Sequence, residues 1–597
     1  MAEKTRTSTI LTRFREAKNK RQAKDPVWHE LDAFDRNEQW NLADSPPWLP
    51  KPITNYIHLV KYTKRAAFAV ENPTAKLRPF SPSTVEAVKL LNKAYEDTFD
   101  RIKARKVVRE SIETSKLLGT CIGHIFWNET AEGRLGTTIQ GDEGFLYTGE
   151  IGIRNVEPST FFPDPTAFTI DDCDYIFIRE RKPMSWIKSQ PKFNKKSKEE
   201  NDKAFTSISQ QDRGEIYGRD YESENDDRLV DFITYYEREA NSEGGFSYFV
   251  TYLANSKILI DKEALRPNRY PFAVGYDFKQ RQDFWGMSTC QFILDNQKII
   301  NKVESIIAMI GTLLQNPQRI VTASSGINPK TVATYGNAPG QTWVTNDANP
   351  SQSIYYVQTP QIPLVLFNML EQAKTNIREI TGLTESYLGQ NVGSLQTSSG
   401  VQALIDRATM RDRDQMYDIE LYVEELSKLI IDFMSEYYEE ERLIRIIDKA
   451  SDEVTFLPFV GTDFKDLAYD MSVDVSSKAP ITRMREAQEA KELLNTNGQY
   501  RASFGVDVIT PQEAIEMMNL QNGQRIIERM NQQQLQNKVD EAVQGAQLIA
   551  EAQAAGVSED EIQQLATAFF EQLQNPDQAG QTGAPTTSNP QNIPQGG

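Results

Sequence analysis

Metal binding, nucleotide hydrolysis and nucleophilic catalysis each need particular residues at particular spacings, and this sequence supplies almost none of them. It holds three histidines in 597 residues. His29-Glu30 is not followed by a second histidine one helical turn on, and His58 and His124 lie far off. One chain therefore carries no histidine-rich metal site, although carboxylates alone could hold a hard cation. No G-x-x-x-x-G-K-S/T loop is present, so the phosphate-cradling backbone and lysine of an ATPase are missing. Gly119-Thr120-Cys121-Ile122-Gly123 has the spacing of a nucleophile elbow with cysteine in the serine place. It follows a predicted helix and enters a predicted strand, the reverse of the geometry that exposes such a nucleophile, so a tight turn with a buried cysteine is expected. Asp164, and Asp171-Asp172 with Asp174, could be imagined as paired acids, but Asp beside Pro in a turn is ordinary backbone chemistry. No catalytic residue, cofactor or metal ligand is assigned, and a hydrolase or nuclease ranks third among the readings.

What remains is non-covalent chemistry. Lys298 and Lys302 stand one helical turn apart: they either present basic charge to a polyanion or are solvent-facing or intersubunit ion-paired residues. From Ser386 to Ile405 there is no charged residue, in a chain where 25% of residues are charged. By itself that stretch reads as a flexible surface loop at least as readily as a functional one.

Three helices position these groups. The first opens at Ser288 with Gln291 three residues on, the form of a capping box, and closes at Asn316-Pro317. Phe292, Ile299, Val303, Ile306, Ile310 and Leu313 form its predicted apolar stripe, widened by Ile293, Ile300, Ile307 and Leu314, over roughly 40 Å. The second opens near Pro363 and carries Phe367, Leu370, Ala373, Ile377 and Ile380 until Gly382 offers a left-handed stop. More than forty residues lie between them. Strand-like runs at Arg319-Ile320-Val321, Trp343-Val344 and Ile354-Tyr355-Tyr356-Val357 predict a small β-containing lobe there, because a structureless loop of that length is improbable. The third helix is predicted from near Gly400 to about Ile447, with Leu421, Leu426, Ile430, Phe433 and Tyr437 inward.

Tyr270-Pro271-Phe272, Trp285-Gly286-Met287-Ser288, Gln297, Asn301 and Ser305, then Ile380-Thr381-Gly382-Leu383 and Thr397-Ser398-Ser399-Gly400, resemble the portal proteins of tailed bacteriophages in order and spacing. Phe161-Phe162-Pro163-Asp164-Pro165 followed by Tyr175 to Ile178 is similar to a stretch of the portal wing. The resemblance covers roughly residues 30–520. It implies an α+β wing over 31–284, stem helices over 285–316 and 363–382, and a clip over 317–362. A tunnel loop over 383–400, a long helix returning to the wing over 401–477 and a helical crown over 478–574 would follow. It further implies a homo-oligomeric ring, expected to be a dodecamer, at one capsid vertex of a virion assembled in the host cytoplasm. Double-stranded DNA would pass through it, and the large terminase, head-tail adaptor, major capsid and scaffolding proteins would be its partners. On that resemblance Ser386, Gln390, Asn391, Ser394, Gln396, Thr397 and Ser398 face DNA, Lys298 and Lys302 line the channel, and Arg319, Trp343, Tyr355 and Tyr356 make clip contacts. The alternative is a non-conducting virion scaffold or adaptor that assembles through the same long helices.

The remaining chain fits several structural units around substantial cores. Residues 1–30 form a basic arm with Lys4, Arg6, Arg13, Arg15, Lys18, Lys20, Arg21 and Lys24 beside a weak apolar face of Ile10, Leu11, Phe14 and Ala17. Such an arm is either a solvated, partly frayed terminus or a contact to packaged DNA or capsid. Pro46 to Pro52 leads into a helix near Asn55 with Ile57, Val60, Lys64 and Phe68 on successive turns, and another helix is expected from Ser83 to Leu118. Strand-like runs follow at Ile122–Asn128, Phe145–Tyr147, Ile151–Ile153, Tyr175–Ile178, Leu229–Tyr236, Tyr248–Leu253 and Lys257–Ile260. Two helices followed by local strands indicate α+β with antiparallel pairing. Val454–Phe456 and Tyr469–Val475 read as strands returning to the same body. Residues 192–228 are expected as an exposed, mobile insertion and 575–597 as a disordered tail. Thr510-Pro511-Gln512-Glu513 is a strong helix start.

The net charge of −18, from 66 basic and 84 acidic residues, disfavours a protein that grips a duplex, since tight binding neutralises phosphates with Lys and Arg. It permits a conduit past which DNA slides. No apolar run long enough to span a membrane is present and no secretory segment is expected. The three separated cysteines, Cys121, Cys173 and Cys290, are expected as reduced thiols.

Overall fold

The computed structural model describes residues 2–40, 46–69, 75–131, 133–137, 143–147, 149–190, 192–193, 229–242, 244–254, 257–336, 338–358, 361–383, 398–447, 454–465, 467–473, 489–497 and 509–518, with scattered positions between 523 and 547. The chain divides into two units, Met1–Ile447 with Val454–Ser477, and Asp448–Glu453 with Lys478–Gly597.

In the first unit, helix α1 (Ala2–Gln22) is not frayed. Ile10 and Ala17 are buried, and Phe14 packs edge-on against Phe162 and Phe177 at 5.1 and 5.3 Å. Arg6 bonds to Glu237 at 2.5 Å and Asp261 at 2.6 Å, while Arg13 donates to the Tyr235 hydroxyl at 2.6 Å. Much of the basic arm is thus neutralised inside the chain. Helices α2 (Asp25–Asp35) and α3 (Tyr56–Ala69) follow. Ile57, Val60, Lys64 and Phe68 are all buried, as their spacing requires.

The helix expected over 83–118 is two, α4 (Val85–Arg101) and α5 (Ala104–Leu118), because Lys103 adopts a left-handed φ of 56°. The break carries the apolar stripe around a corner of the core, and no Gly or Pro announces it. Gly119 ends α5 with φ 88°, as expected.

All strand pairs among the described residues are antiparallel, which bears out the α+β class. A five-stranded sheet runs β10-β9-β8-β7-β6, with β6 Phe161–Pro163, β7 Tyr175–Pro183, β8 Leu229–Ala240, β9 Phe246–Ala254 and β10 Lys257–Ala264. A three-stranded sheet runs β11-β2-β5, with β2 Thr120–Asn128, β5 Glu150–Val156 and β11 Phe272–Tyr276. Two-stranded ribbons join β1 (Ala75–Pro79) to β16 (Tyr469–Val473), β3 (Gly133–Thr137) to β4 (Glu143–Tyr147), β12 (Arg319–Val321) to β13 (Ile354–Tyr356), and β14 (Arg442–Ile447) to β15 (Val454–Phe459).

Three longer helices complete the unit: α6 (Thr289–Gln315), α7 (Leu364–Thr381) and α8 (Ser398–Tyr437). The Ser288 hydroxyl caps α6 by accepting from the Gln291 amide at 2.9 Å, and Gly382 ends α7 at φ 71°. Helix α8 begins two residues before Gly400 and stops ten before the predicted end. Glu439-Glu440-Glu441 would place negative charge on an already negative helix C-terminus, and Leu443 outward with Ile444 inward shows the period of a strand. Leu426, Ile430 and Phe433 are buried as predicted, but Leu421 is exposed. Tyr422 lies over Gly123 and Gly275, where a Cβ would come within 2.7 and 2.9 Å of its ring atoms or hydroxyl. Two glycines on adjacent strands let α8 approach the sheet.

In the second unit, a helix over 489–497 and another at Pro511–Met518 share a small core of Ala490, Ile509 and Ala514. The Thr510 capping box is present: Glu513 N donates to Thr510 Oγ1 at 3.2 Å, and Thr510 N donates to Glu513 Oε2 at 2.9 Å. Residues 575–597, most of the helical region expected over 478–574, and residues 194–228 of the expected insertion lie outside the described residues. Lys192 is described, paired to Glu263 at 2.8 Å.

Candidate functional site

Helices α6 and α7 run antiparallel as an arm, in register where Asn376 Nδ2 donates to Asn296 Oδ1 at 3.3 Å. One face of α6 is fastened to the first unit by polar residues a helical turn apart. Gln297 Nε2 donates to the Thr54 carbonyl at 2.8 Å and its Oε1 accepts from Tyr56 N at 2.9 Å. Asn301 donates to Gln39 at 2.7 Å, and Ser305 to the Pro50 carbonyl at 2.7 Å. Ser305 therefore holds the proline-rich stretch 46–52, Gln297 the residues 54–56 that follow it, and Asn301 the residue Gln39 before it. A proline-rich strand has few donors of its own, so side chains supply the bonds.

Another face of α6 is uncovered. Phe292 and Ile299 from the predicted stripe are exposed, whereas Ile293 and Ile300, assigned to its margin, are buried. Val303 of the same stripe is buried as well, so the buried face takes in part of the predicted stripe, its margin and the polar seam. On α7, Ala373 and Ile377 are buried, but Leu364, Val365, Phe367, Met369 and Ile380 are exposed. Lys298 pairs with Glu30 of α2 at 2.7 Å. Lys302 is exposed and has no ion pair among the described residues.

At the end of the arm, β12 and β13 pair Arg319 with Tyr356 and Val321 with Ile354. Arg319 donates to the Val332 carbonyl at 3.2 Å and lies over the Tyr356 ring at 5.6 Å. Tyr355 and Tyr356 are exposed and Trp343 is half-buried. Trp343-Val344 is not a strand; instead a short helix at Pro329–Tyr335 fills part of the lobe. Asn328 caps it through the Lys330 amide at 3.0 Å. Ser386, Gln390, Asn391, Ser394, Gln396 and Thr397 lie outside the described residues, and Ser398 is the first residue of α8.

A buried hub that the sequence reading missed joins the arm to α8. Asp277 accepts from Lys116 Nζ at 2.6 Å and from Thr289 Oγ1 at 2.6 Å, and also holds the Thr289 amide at the start of α6. Lys116 donates to Gln415 of α8 at 3.2 Å and sits over the Phe68 ring at 4.4 Å. One turn away, Lys64 pairs with Asp412. A signal was available: Lys116 falls on the apolar stripe of α5, four residues after Ile112.

The remaining chemical candidates are occupied structurally. Asp164 accepts from Thr166 N at 2.9 Å, Asp172 from Thr169 Oγ1 at 2.7 Å, and Asp174 from Arg238 at 3.0 Å. All three cysteines are free and buried; burial pushes the Cys121 and Cys173 thiols up to about 12, and Cys290 higher still. A cleft of 390 Å³ lies beside Trp127, Tyr252 and Tyr437, and the His124 and Tyr236 side chains on its wall are buried and bonded to each other. Among the described residues no cluster of three or more His, Cys, Asp or Glu could hold a metal, and no helix is long and apolar enough to cross a membrane.

Two long helices, α6 and α7, flank a small lobe containing the β12–β13 ribbon and attach to a body of mixed α+β class. The model of the family described as phage P22-like portal protein matches residues 70–583. The chain belongs to the P22-like phage portal protein family. No curated protein matches it. Portal proteins are structural components of a phage capsid and oligomeric.

Proposed function

We propose that this portal protein assembles as a closed ring at one capsid vertex, around a channel through which double-stranded DNA is packaged, retained and ejected. The observation that carries the reading is the uncovered apolar face of α6 and α7 in a chain of the portal family. Monomeric proteins rarely leave such a continuous apolar surface to solvent, and a ring of identical copies would cover it. On this reading α6 and α7 are the stem, residues 317–362 the clip that meets the terminase and then the adaptor, and 383–400 the tunnel loop nearest DNA. Residues 31–284 with 401–477 form the wing and 478–574 the crown. Twelve copies are expected.

The Lys298–Glu30 pair argues that Lys298 holds α6 to α2 and does not face DNA. The nearly uncharged segment 384–397 remains the proposed DNA surface, with phosphate contacts too weak to arrest sliding. Replacing Gln390, Asn391, Gln396 and Thr397 together by lysine is expected to stall packaging, read as shortened genomes in virions assembled with the variant. Full-length genomes at wild-type yield would overturn the assignment.

A further inference from the structure

The outward surfaces of α6 and α7 carry opposite charges at matching heights. On α6, Asp295 and Lys302 are seven residues apart, beside the exposed Phe292 and Ile299. On α7, Glu371 and Arg378 are also seven apart, beside the exposed Leu364 and Phe367. Seven residues is two helical turns, so each pair keeps to one side of its helix. The Asn296–Asn376 contact fixes the relative height of the two helices. It places Asp295 level with Ile377 and Lys302 level with Leu370. Arg378 and Glu371 therefore each lie one residue, about 1.5 Å, from the height of an opposite charge.

Within one chain Glu371 meets Lys374 at 3.1 Å, and Asp295 reaches Lys298 only at 3.8 Å. In a ring closed by rotation alone, neighbouring copies stand at equal heights and meet through two different surfaces.

We infer that the outward face of α6 docks on the α7 face of a second copy of this chain, with Asp295 opposite Arg378 and Lys302 opposite Glu371 of that copy. Phe292 and Ile299 supply the apolar area, and the two ion pairs of reversed polarity disfavour an inverted neighbour. A slip by two helical turns would set Asp295 against Glu371, and an inverted neighbour would set like charges together at both positions. This inference rests on the ring reading and makes Lys302 an interface residue, not a channel lining.

The test is a charge-reversal set on the full chain, with the ring fraction at fixed concentration and low salt measured by native mass spectrometry. Lys302→Glu alone and Glu371→Lys alone are each expected to lower the ring fraction at least tenfold, and the double reversal to restore it to within about threefold. The same pattern is expected for Asp295→Arg, Arg378→Asp and their combination. An independent check is Lys302→Cys with Glu371→Cys, which is expected to give a ladder of covalent multimers on oxidation. Wild-type rings left unchanged by the single reversals, or single defects that the double reversal does not repair, would overturn this pairing while leaving the ring intact. A wild-type chain that forms no ring would overturn the reading beneath it.

Discussion

The body of the first unit and the arm of α6 and α7 solve the same problem differently. In the body, the long helices bury most of their described large apolar side chains within the chain. Tyr95, Tyr422 and Tyr438 place their hydroxyls on Ser427, Ser111 and Glu150, so even the polar tips of core aromatics are satisfied. In the arm, one face is fixed by Gln297, Asn301 and Ser305 while large apolar side chains elsewhere stay exposed. The body buries its large side chains within one chain, and the arm leaves several of its own exposed. Folding and assembly are therefore separable by mutation.

The sharpest contrast comes from the hub. Asp277→Asn leaves Lys116 buried without its counter-charge and weakens the cap of α6, which is expected to cost about 3–5 kcal/mol. The urea midpoint of the first unit should fall accordingly. A variant as stable as the wild type would mean that the body does not depend on this pair.

A pH effect of intermediate size belongs to the same body. Burial first, then the charge of Arg154, hold the His124 imidazole well below its ordinary range. Arg154 Nε donates to His124 Nδ1 at 3.1 Å, which leaves Nε2 to carry the proton toward the Tyr236 hydroxyl, also at 3.1 Å. The unfolded chain binds a proton below about pH 6.5 where the folded chain does not, so stability is full above that pH and falls as pH drops below it. The slope contributed is at most about 1.4 kcal/mol per pH unit. His124→Gln should flatten the unfolding free energy between pH 6.5 and 5 by up to that amount; an unchanged slope would contradict the buried neutral state.

The smallest effect on stability is expected in the arm. Leu364→Ser and Val365→Ser should change the unfolding free energy of the unassembled chain by less than about 0.5 kcal/mol, because both side chains are largely exposed. The same variants should reduce ring formation sharply. Strong destabilisation of the monomer would erase the distinction between body and arm.

Much of the architecture was legible because local rules and burial agree. Ser288, Thr510, Gly119 and Gly382 marked helix ends by capping chemistry that operates within a few residues. The strands from Ile122 to Ile260 followed from β-branched and aromatic runs. What was hidden depended on distant partners. Lys103 turns left-handed between α4 and α5 with no Gly or Pro to mark it, and Arg442–Ile447 is a strand because β15 pairs with it. The terminal helix α1 is ordered because Glu237 and Asp261, more than two hundred residues away, receive Arg6. The buried face of α6 matches the predicted stripe only in part because periodicity counts apolar residues and cannot tell a face buried in the chain from one left exposed. Lys298 was ambiguous for the same reason, since Glu30 could only be placed beside it by the fold.

The central claim is that the uncovered arm belongs to a ring with an open channel. Electron microscopy of the purified chain, with mass determination of the assembled species, tests it most directly. The account predicts a closed ring of about twelve copies with a bore wider than a DNA duplex. A closed bundle or small dimer, with the faces of α6 and α7 buried and no channel, would contradict it.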